Sequence, residues 1–315
     1  MSVIVPAYGV AHLLGDALAS LQAQHFQDWE AIVIDDGAPD DVASAFERFA
    51  HDKRLRLLRT DNQGLATARN RAIAASSAPF IALLDGDDLY EPAYLDRMLA
   101  AIEADPSLGF VSCDALIFGP GEQAQQRYSR RYPMAGPVSL ERVLGREIAI
   151  FVTAIIRRAA LDQVGGFDGS LRAVEDLDLW IRLLAAGWSA AVVLEPLARY
   201  RRRPNSLSTD ARSMLVASCS VYRKASRAME GRPEQAVAER LLASYEEELR
   251  WQDGKDWIRR GDLAAGMPLL TGAERRSPRW GVALAIMRRA PRIAGLLLRL
   301  RAWVLNRAFW PLRNG

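Results

Sequence analysis

The feature that most constrains this chain is an alternation. Over the first 118 residues, short runs of branched apolar residues take turns with stretches of helical periodicity. Strands are predicted at 3–5, 31–34, 55–59, 80–84 and 110–118. Between them, residues 10–24 set Leu13, Leu14, Ala17, Leu18 and Leu21 on one helical face. Further helices are expected up to about residue 50, over 64–76 and over 91–104, with Pro92 near the first turn, where a missing N–H costs little. Strand–helix–strand alternation of this kind implies a mostly parallel sheet with helices on both faces. In such sheets ligands sit at the carboxyl ends of the strands.

Two acidic turns fall at such ends, Asp35-Asp36 and the run Asp85-Gly-Asp87-Asp88. Further along, residues 119–137 are rich in Gly, Pro, Gln and Arg and read as a long surface loop. Strand signals return at 148–156 and 191–194, and a helix is expected over 175–186. From about 211 the chain reads as helices alone. The expected division is therefore 1–209, an α/β catalytic region, and 210–315, a helical C-terminal region.

Charge divides the same way. Residues 1–209 carry 21 Lys and Arg against 27 Asp and Glu, while 210–315 carry 20 against 11. Residues 275–315 hold ten Arg and no acid, which suggests an anionic partner. The two cysteines, Cys113 and Cys219, fit neither a disulfide framework nor a zinc site and are expected as reduced thiols. The chain opens directly on a strand with no secretory pattern, and no apolar run of about 18 residues suggests a membrane span. A cytosolic setting is the resulting expectation.

Carboxylates two residues apart at a strand end can aim together into a cleft. There they can take a hard cation such as Mg²⁺ or Mn²⁺, which uses one or two protein carboxylates plus substrate phosphates and water. The plainer alternative is a solvated turn, with Asp88 capping the next helix. An EF-hand loop is excluded by the spacing. A phosphatase of the haloacid dehalogenase type also carries Asp-x-Asp after an apolar strand, but normally on the first strand of its sheet. Here three strand signals come before it.

Six segments occur in order: SVIVPAY, AIVIDDGAPDD, NQGLATARNRAI, APFIALLDGDDLYEP, GGFDGSLRAVEDLDLWIRL and YRRRPNSLS. Together they resemble family 2 of the nucleotide-sugar glycosyltransferases, inverting enzymes of the GT-A fold, over roughly residues 1–209. The resemblance implies that Pro6 and Tyr8 line a nucleotide pocket and that Asp36 contacts the base, supported by Asp35. It implies Asp87 as the metal ligand, with Asp85 toward metal and donor. Arg69 and Asn70, read as opening a helix, would contact ribose or donor sugar. Asp176 would be the general base, helped by the neighbouring charge of Glu175. Arg201 and Arg203 would neutralise the donor diphosphate. The chain departs from the family pattern at Gly9, at Ala38-Pro39 and at Arg203, where Asn, Ser or Thr, and His are common. Trp180 lies on an apolar helix face and reads as core.

The partners implied are a nucleotide-sugar donor, a glycan or lipid-linked acceptor, and no nucleic acid. The tail has Trp280, Trp303 and Trp310 among its arginines and amphipathic spacing over 291–308. It is expected either to dock on an anionic membrane surface or to pack on the catalytic domain.

Overall fold

A computed structural model describes residues 1–120, 125–204, 206–270 and positions 284, 285 and 289. The chain divides into two compact units, Met1–Leu241 and Leu242–Gly315. The first begins β1 (Ser2–Ala7), α1 (Ala11–Gln22), β2 (Glu30–Asp36), α2 (Val42–Glu47), β3 (Leu55–Thr60), α3 (Leu65–Ala74) and β4 (Phe80–Leu83). It continues with β5 (Leu89–Tyr90), α4 (Tyr94–Glu103), β6 (Leu108–Phe118), α5 (Leu140–Leu144), β7 (Ala154–Arg157), α6 (Arg158–Val164), α7 (Glu175–Ala185), β8 (Ser189–Arg201) and α8 (Ala211–Ala228). Helix α9 (Glu234–Arg259) spans the division.

The strands form one sheet in the order β3-β2-β1-β4-β7-β6-β8-β5. The β3-β2-β1-β4 half is parallel throughout, with Ala7 beside Asp35, Asp36 beside Thr60 and Ile4 beside Leu83. The expectation of a mostly parallel sheet holds, since β6 and β8 also pair in parallel. β7 runs antiparallel to both β4 and β6, and β5 runs antiparallel to β8. Every residue of β1 is buried, as a strand covered on both faces must be. Its odd-numbered side chains, Val3 and Val5, join Leu14, Leu18 and Leu21 of α1 and Met98 of α4 in one core cluster. The opposite face of β1 and β2 lies against α3.

Chain order places the site. β2 and β3 build outward on one side of β1, and β4 then pairs on its other side. Such a reversal leaves a crevice at the strand carboxyl ends, where the turns after β1, β2 and β4 meet.

Several elements differ from the sequence reading. The last strand is not 191–194 but thirteen residues long, so the basic run starts inside β8. Its parallel pairing with β6 extends it. The helix expected from 91 starts at Tyr94, and its N-terminal neighbour Ala93 offers no side-chain cap. The strand expected over 148–156 is confined to Ala154–Arg157, because Ile148–Val152 border the cleft instead. The described part of 119–137 is anchored rather than free. Ser129 donates to Asp114 through its N–H (3.0 Å) and its hydroxyl (2.6 Å), and Met134 is buried.

The division between units also lies later than residue 209. α8 belongs to the first unit, where Lys224 pairs with Asp168 (2.6 Å) and Asp178 (2.8 Å). The Tyr222 hydroxyl donates to the Leu144 carbonyl at 2.8 Å. The second unit has its own small core of Trp251, Ile258, Leu263, Leu270 and Leu284. Both cysteines are buried and neither is in a disulfide. No described helix is long and apolar enough to cross a membrane. The basic tail, 275–315, lies outside the described residues apart from isolated positions.

Candidate active site

A cleft of about 1080 Å³ opens at the carboxyl ends of the strands. Pro6, Tyr8, Asp36, Arg69, Asp85, Asp87, Asp176, Arg201 and Arg203 all border it. Six segments spread over two hundred residues therefore meet in one place.

The β1 and β2 ends are held by carboxylates that accept backbone N–H groups. Asp36 accepts from Gln63 N (3.1 Å) and Gly64 N (2.8 Å), and so fixes the turn that starts α3. Asp35 accepts from Ala38 N (2.9 Å) and pairs with Arg59 (3.2 Å). Asp40 accepts from Gly9 N (3.0 Å) and Ala11 N (2.6 Å), tying the β1 end to the β2 turn. Gly9 has φ +67° with open space around it, a left-handed conformation that Gly and Asn adopt most readily.

The glycine of the Asp85-Gly-Asp87-Asp88 run is required by proximity. A Cβ on Gly86 would come within 2.8 Å of the Pro6 carbonyl, to which Gly86 N donates at 3.2 Å. This contact presses the turn against β1 and leaves its carboxylates three distinct surroundings. Asp85 accepts from Arg69 at 2.6 Å. Asp87 accepts from Arg203 at 2.5 Å. Asp88 does not cap α4 as the sequence suggested. It is buried and accepts from the Arg201 backbone N–H at 2.8 Å, joining the turn to β8. Burial first, and the neighbouring Asp85 charge second, push the Asp87 carboxyl above its ordinary range, against the pull of Arg203.

Arg69 sits in the middle of α3 rather than at its start. It is 1% exposed and bridges Asp85 (2.6 Å) and Glu175 (2.5 Å). Burial opposes its charge, but the two carboxylates outweigh burial and keep the guanidinium protonated. A buried cation between two anions tolerates loss of neither side well. Burial raises the Glu175 carboxyl, Arg69 pulls it down, and the neighbouring Asp176 charge adds to the rise. Asn70 does not border the cleft. Its amide nitrogen donates to Phe167 O (2.7 Å) and its oxygen accepts from Phe167 N (2.9 Å), a two-point tie of α3 to the turn before α7.

Asp176 opens α7 behind Val174, a β-branched residue at φ +60°. For such a residue that conformation is an outlier, and outliers of this kind collect at functional sites. One carboxylate oxygen of Asp176 accepts from Leu177 N at 2.8 Å. Burial raises its carboxyl above the ordinary range, opposed by that N–H and by the charges of Arg69 and Arg146. Trp180, one turn on, packs in the core with its ring on Phe110 at 4.4 Å. Asp178 is buried in an ion-pair network with Arg182 (2.7 Å) and Lys224, away from the cleft. Arg201 donates through Nε to the Asp87 carbonyl (2.8 Å) and through Nη2 to Asp16 (2.8 Å).

The wall near β6 and β8 is aromatic and basic. Tyr128 lies 4.6 Å from Tyr132 and 4.9 Å from Phe151, with Tyr200 edge-on at 6.2 Å. Arg131, Arg146 and Arg202 border the same side. The sequence reading missed these residues. Arg146 carried no motif, and only the mixed aromatic and basic content of Tyr128–Tyr132 hinted at them.

A profile described as glycosyl transferase family 2 matches residues 2–165, about half of the chain. The chain belongs to glycosyl transferase family 2. A succinoglycan biosynthesis protein, ExoU, of Rhizobium meliloti (strain 1021) is 36% identical over 202 residues, 59% of this chain and 57% of that protein. A putative teichuronic acid biosynthesis glycosyltransferase, TuaG, of Bacillus subtilis (strain 168) is 28% identical over 233 residues, 72% of this chain and 88% of that protein. The chain thus spans little more than half the length of the first relative. Among solved structures, S. aureus TarS 1-349 in complex with UDP-GlcNAc aligns with a TM-score of 0.63 at 17% identity, over 98% of this chain and 91% of that one. A mannosyltransferase, PcManGT, of Pyrobaculum calidifontis in complex with GDP-Man and Mn²⁺ aligns with a TM-score of 0.61 at 19% identity, over 99% and 87%. At such identities the likeness establishes the fold, which is the GT-A fold. Membership in this family replaces the phosphatase alternative, and Asp85 follows the fourth strand of the chain, not the first.

Proposed function

We propose that this chain is an inverting, metal-dependent glycosyltransferase. It moves a sugar from a nucleotide-diphosphate donor, a UDP-sugar by preference, to a hydroxyl of a glycan or lipid-linked acceptor. The observation that carries this reading is the meeting of Asp85, Asp87 and Asp176 around one cleft in a family 2 chain. The relatives named for succinoglycan and teichuronic acid biosynthesis support a role in building a polysaccharide. The UDP-GlcNAc complex of a structural neighbour supports the donor class.

The donor set fits a hard divalent cation. Among the described residues no three His, Cys, Asp or Glu side chains form a cage, so Asp85 and Asp87 would hold Mg²⁺ or Mn²⁺ with oxygens from diphosphate and water completing the shell. The raised Asp87 carboxyl reflects two anions crowded in a buried turn, a tension a cation relieves. Such an ion, when bound, neutralises charge on the diphosphate.

Pro6, Tyr8 and Asp36 border the nucleotide end. Asp176 takes the proton of the acceptor hydroxyl. The acceptor oxygen then bonds to the anomeric carbon from the face opposite the diphosphate, and the bond from that carbon to the diphosphate breaks. One displacement inverts the anomeric configuration. The raised Asp176 carboxyl suits a base that works near neutral pH. Arg203, beside Asp87, and Arg201 meet the charge of the departing diphosphate. The ten arginines of 275–315 support an acceptor presented at an anionic membrane surface.

A hydrolysis screen over sugar nucleotides, with and without Mn²⁺, tests the reading. Turnover of one sugar nucleotide that requires the metal is expected. No turnover of any donor under either condition would overturn it.

A further inference from the structure

The side of the cleft near β6 and β8 carries arginines that no carboxylate of the described residues pairs with at ion-pair distance. Of the other cleft arginines, three have carboxylate partners, while Arg172, beside Gly64 at the start of α3, has none within ion-pair distance among the described residues. Arg69 has Asp85 and Glu175, Arg201 has Asp16, and Arg203 has Asp87. Among the described residues, Arg131, Arg146 and Arg202 have none within ion-pair distance. Arg131 and Arg202 meet only neighbouring tyrosine rings, Tyr132 at 5.5 Å and Tyr200 at 5.9 Å.

Arg146 is held in place by its backbone. It follows α5 at φ +59°, a conformation non-glycine residues seldom take. Its N–H donates to Val143 O at 3.2 Å, and Val143 itself is buried. The side chain therefore leaves a fixed point on the cleft wall. Strained residues persist where the surroundings over-determine them, and they gather at ligand clamps. Beside it, Tyr128 and Tyr132 pack on each other with ring centroids 4.6 Å apart and together border the cleft. Aromatic faces of this kind suit the apolar face of a pyranose. A guanidinium offers a planar fork that matches a carboxylate or phosphate.

The position agrees with an acceptor rather than a donor. These residues lie on the segment after β6 and at the end of β8, on the far side of β4 from β1 and β2. The diphosphate region, beside Asp87, already has Arg201 and Arg203.

We propose that this wall is an acceptor subsite for an anionic sugar, whose carboxylate or phosphate is taken by Arg131 and Arg146 while its ring lies against Tyr128 and Tyr132. The inference rests on the transferase reading and narrows its acceptor. The shared chemistry is an oxyanion close to the attacking hydroxyl. A sugar carboxylate, a sugar phosphate and a lipid diphosphate all present one.

The test uses the full chain with the donor found by the hydrolysis screen. Transfer is measured, with binding by calorimetry in parallel, on matched sets of octyl hexosides, octyl hexuronides, octyl hexoside 6-phosphates and farnesyl-diphosphate-linked hexoses in gluco, galacto and manno forms. At least one charged set is expected to exceed its neutral match tenfold or more in kcat/KM or in affinity. The set that does so identifies the source of the oxyanion. Arg146→Gln and Arg131→Gln should erase that preference through KM, Arg146→Lys should keep much of it, and donor hydrolysis should stay unchanged in Arg131→Gln. Equal use of neutral and charged acceptors, a preference for neutral ones, or no binding of any charged member overturns the proposal while leaving the transferase reading intact. An equal fall of kcat on both acceptor kinds in Arg146→Gln also overturns it, because Arg146 would then act on Asp176. Loss of all donor turnover in the unmodified chain is the separate outcome that removes the transferase reading itself.

Discussion

At the β1 and β2 end of the cleft, carboxylates hold the protein's own backbone. Asp35, Asp36 and Asp40 each accept from N–H groups of turns only a few residues beyond a strand. At the β6 and β8 end, rings and guanidinium groups line the wall, and they come from a segment with little regular structure. The first end is a scaffold whose polar groups satisfy one another. The second sets Arg131, Arg146 and Arg202 on the cleft with no carboxylate of the described residues at ion-pair distance. Between them, Arg69 ties the Asp85 turn to the start of α7. This division suits the proposed reading, in which a preformed donor site faces an acceptor wall that sets specificity.

The contrast can be broken most forcefully at its centre. Asp176→Asn should leave donor binding near that of the unmodified chain and cut transfer roughly 100- to 10,000-fold, the usual contribution of a general base. Its pH profile carries a linked expectation. The base must be ionised and burial raises its carboxyl, so the acid limb of kcat should lie above the ordinary aspartate value of about 3.9. Transfer at full rate in Asp176→Asn would remove the residue from the role.

Asp87→Ala should abolish the increment in donor affinity that Mn²⁺ provides, roughly 10- to 100-fold at about 1.5–3 kcal/mol for a charged contact. Calorimetry with and without Mn²⁺ reads this directly. An undiminished metal response would move the cation site elsewhere.

Arg69→Met addresses the bridge. It leaves Glu175 buried without its cation, so a stability loss of about 3–5 kcal/mol is expected in chemical denaturation. A loss under about 1 kcal/mol would mean that the bridge holds little.

Asn70→Ala has the smallest expected effect and separates scaffold from site most cleanly. Loss of its two bonds to Phe167 should cost about 1–2 kcal/mol of stability and leave the KM for donor unchanged. A large rise in that KM with stability intact would restore Asn70 as a donor contact.

Much of the first half of the sheet was legible because its signals are local. β1, β2 and β4 are short apolar runs, largely buried, and the turns after β2 and β4 carry Asp and Gly. The placement of Asp36, Asp85, Asp87 and Asp176 on one cleft followed from strand-end logic and the family resemblance. The second half was harder. β7 is four residues long and antiparallel, and β8 exists at its full length only because β6 lies beside it. Pairing across eighty residues leaves no local pattern to read. Asp88 looked like a helix cap because capping is judged over a few residues, whereas its partner, Arg201, is 113 residues away.

By itself, the sequence determined the alternation of strands and helices, the carboxylates at strand ends and the identity of the family. The first two depend on residues within a few positions of one another, where side-chain period and turn chemistry act directly, and the family on six such segments in order. Only the tertiary structure decided what those carboxylates face. It divided Asp85, Asp87 and Asp88 among Arg69, Arg203 and the Arg201 backbone, turned Asn70 into a tie between α3 and the turn before α7, and among the described residues put no carboxylate within ion-pair distance of Arg131 or Arg146. The reason is that charge pairing is settled by distance in space, and a chain that folds back on itself makes that distance independent of sequence separation.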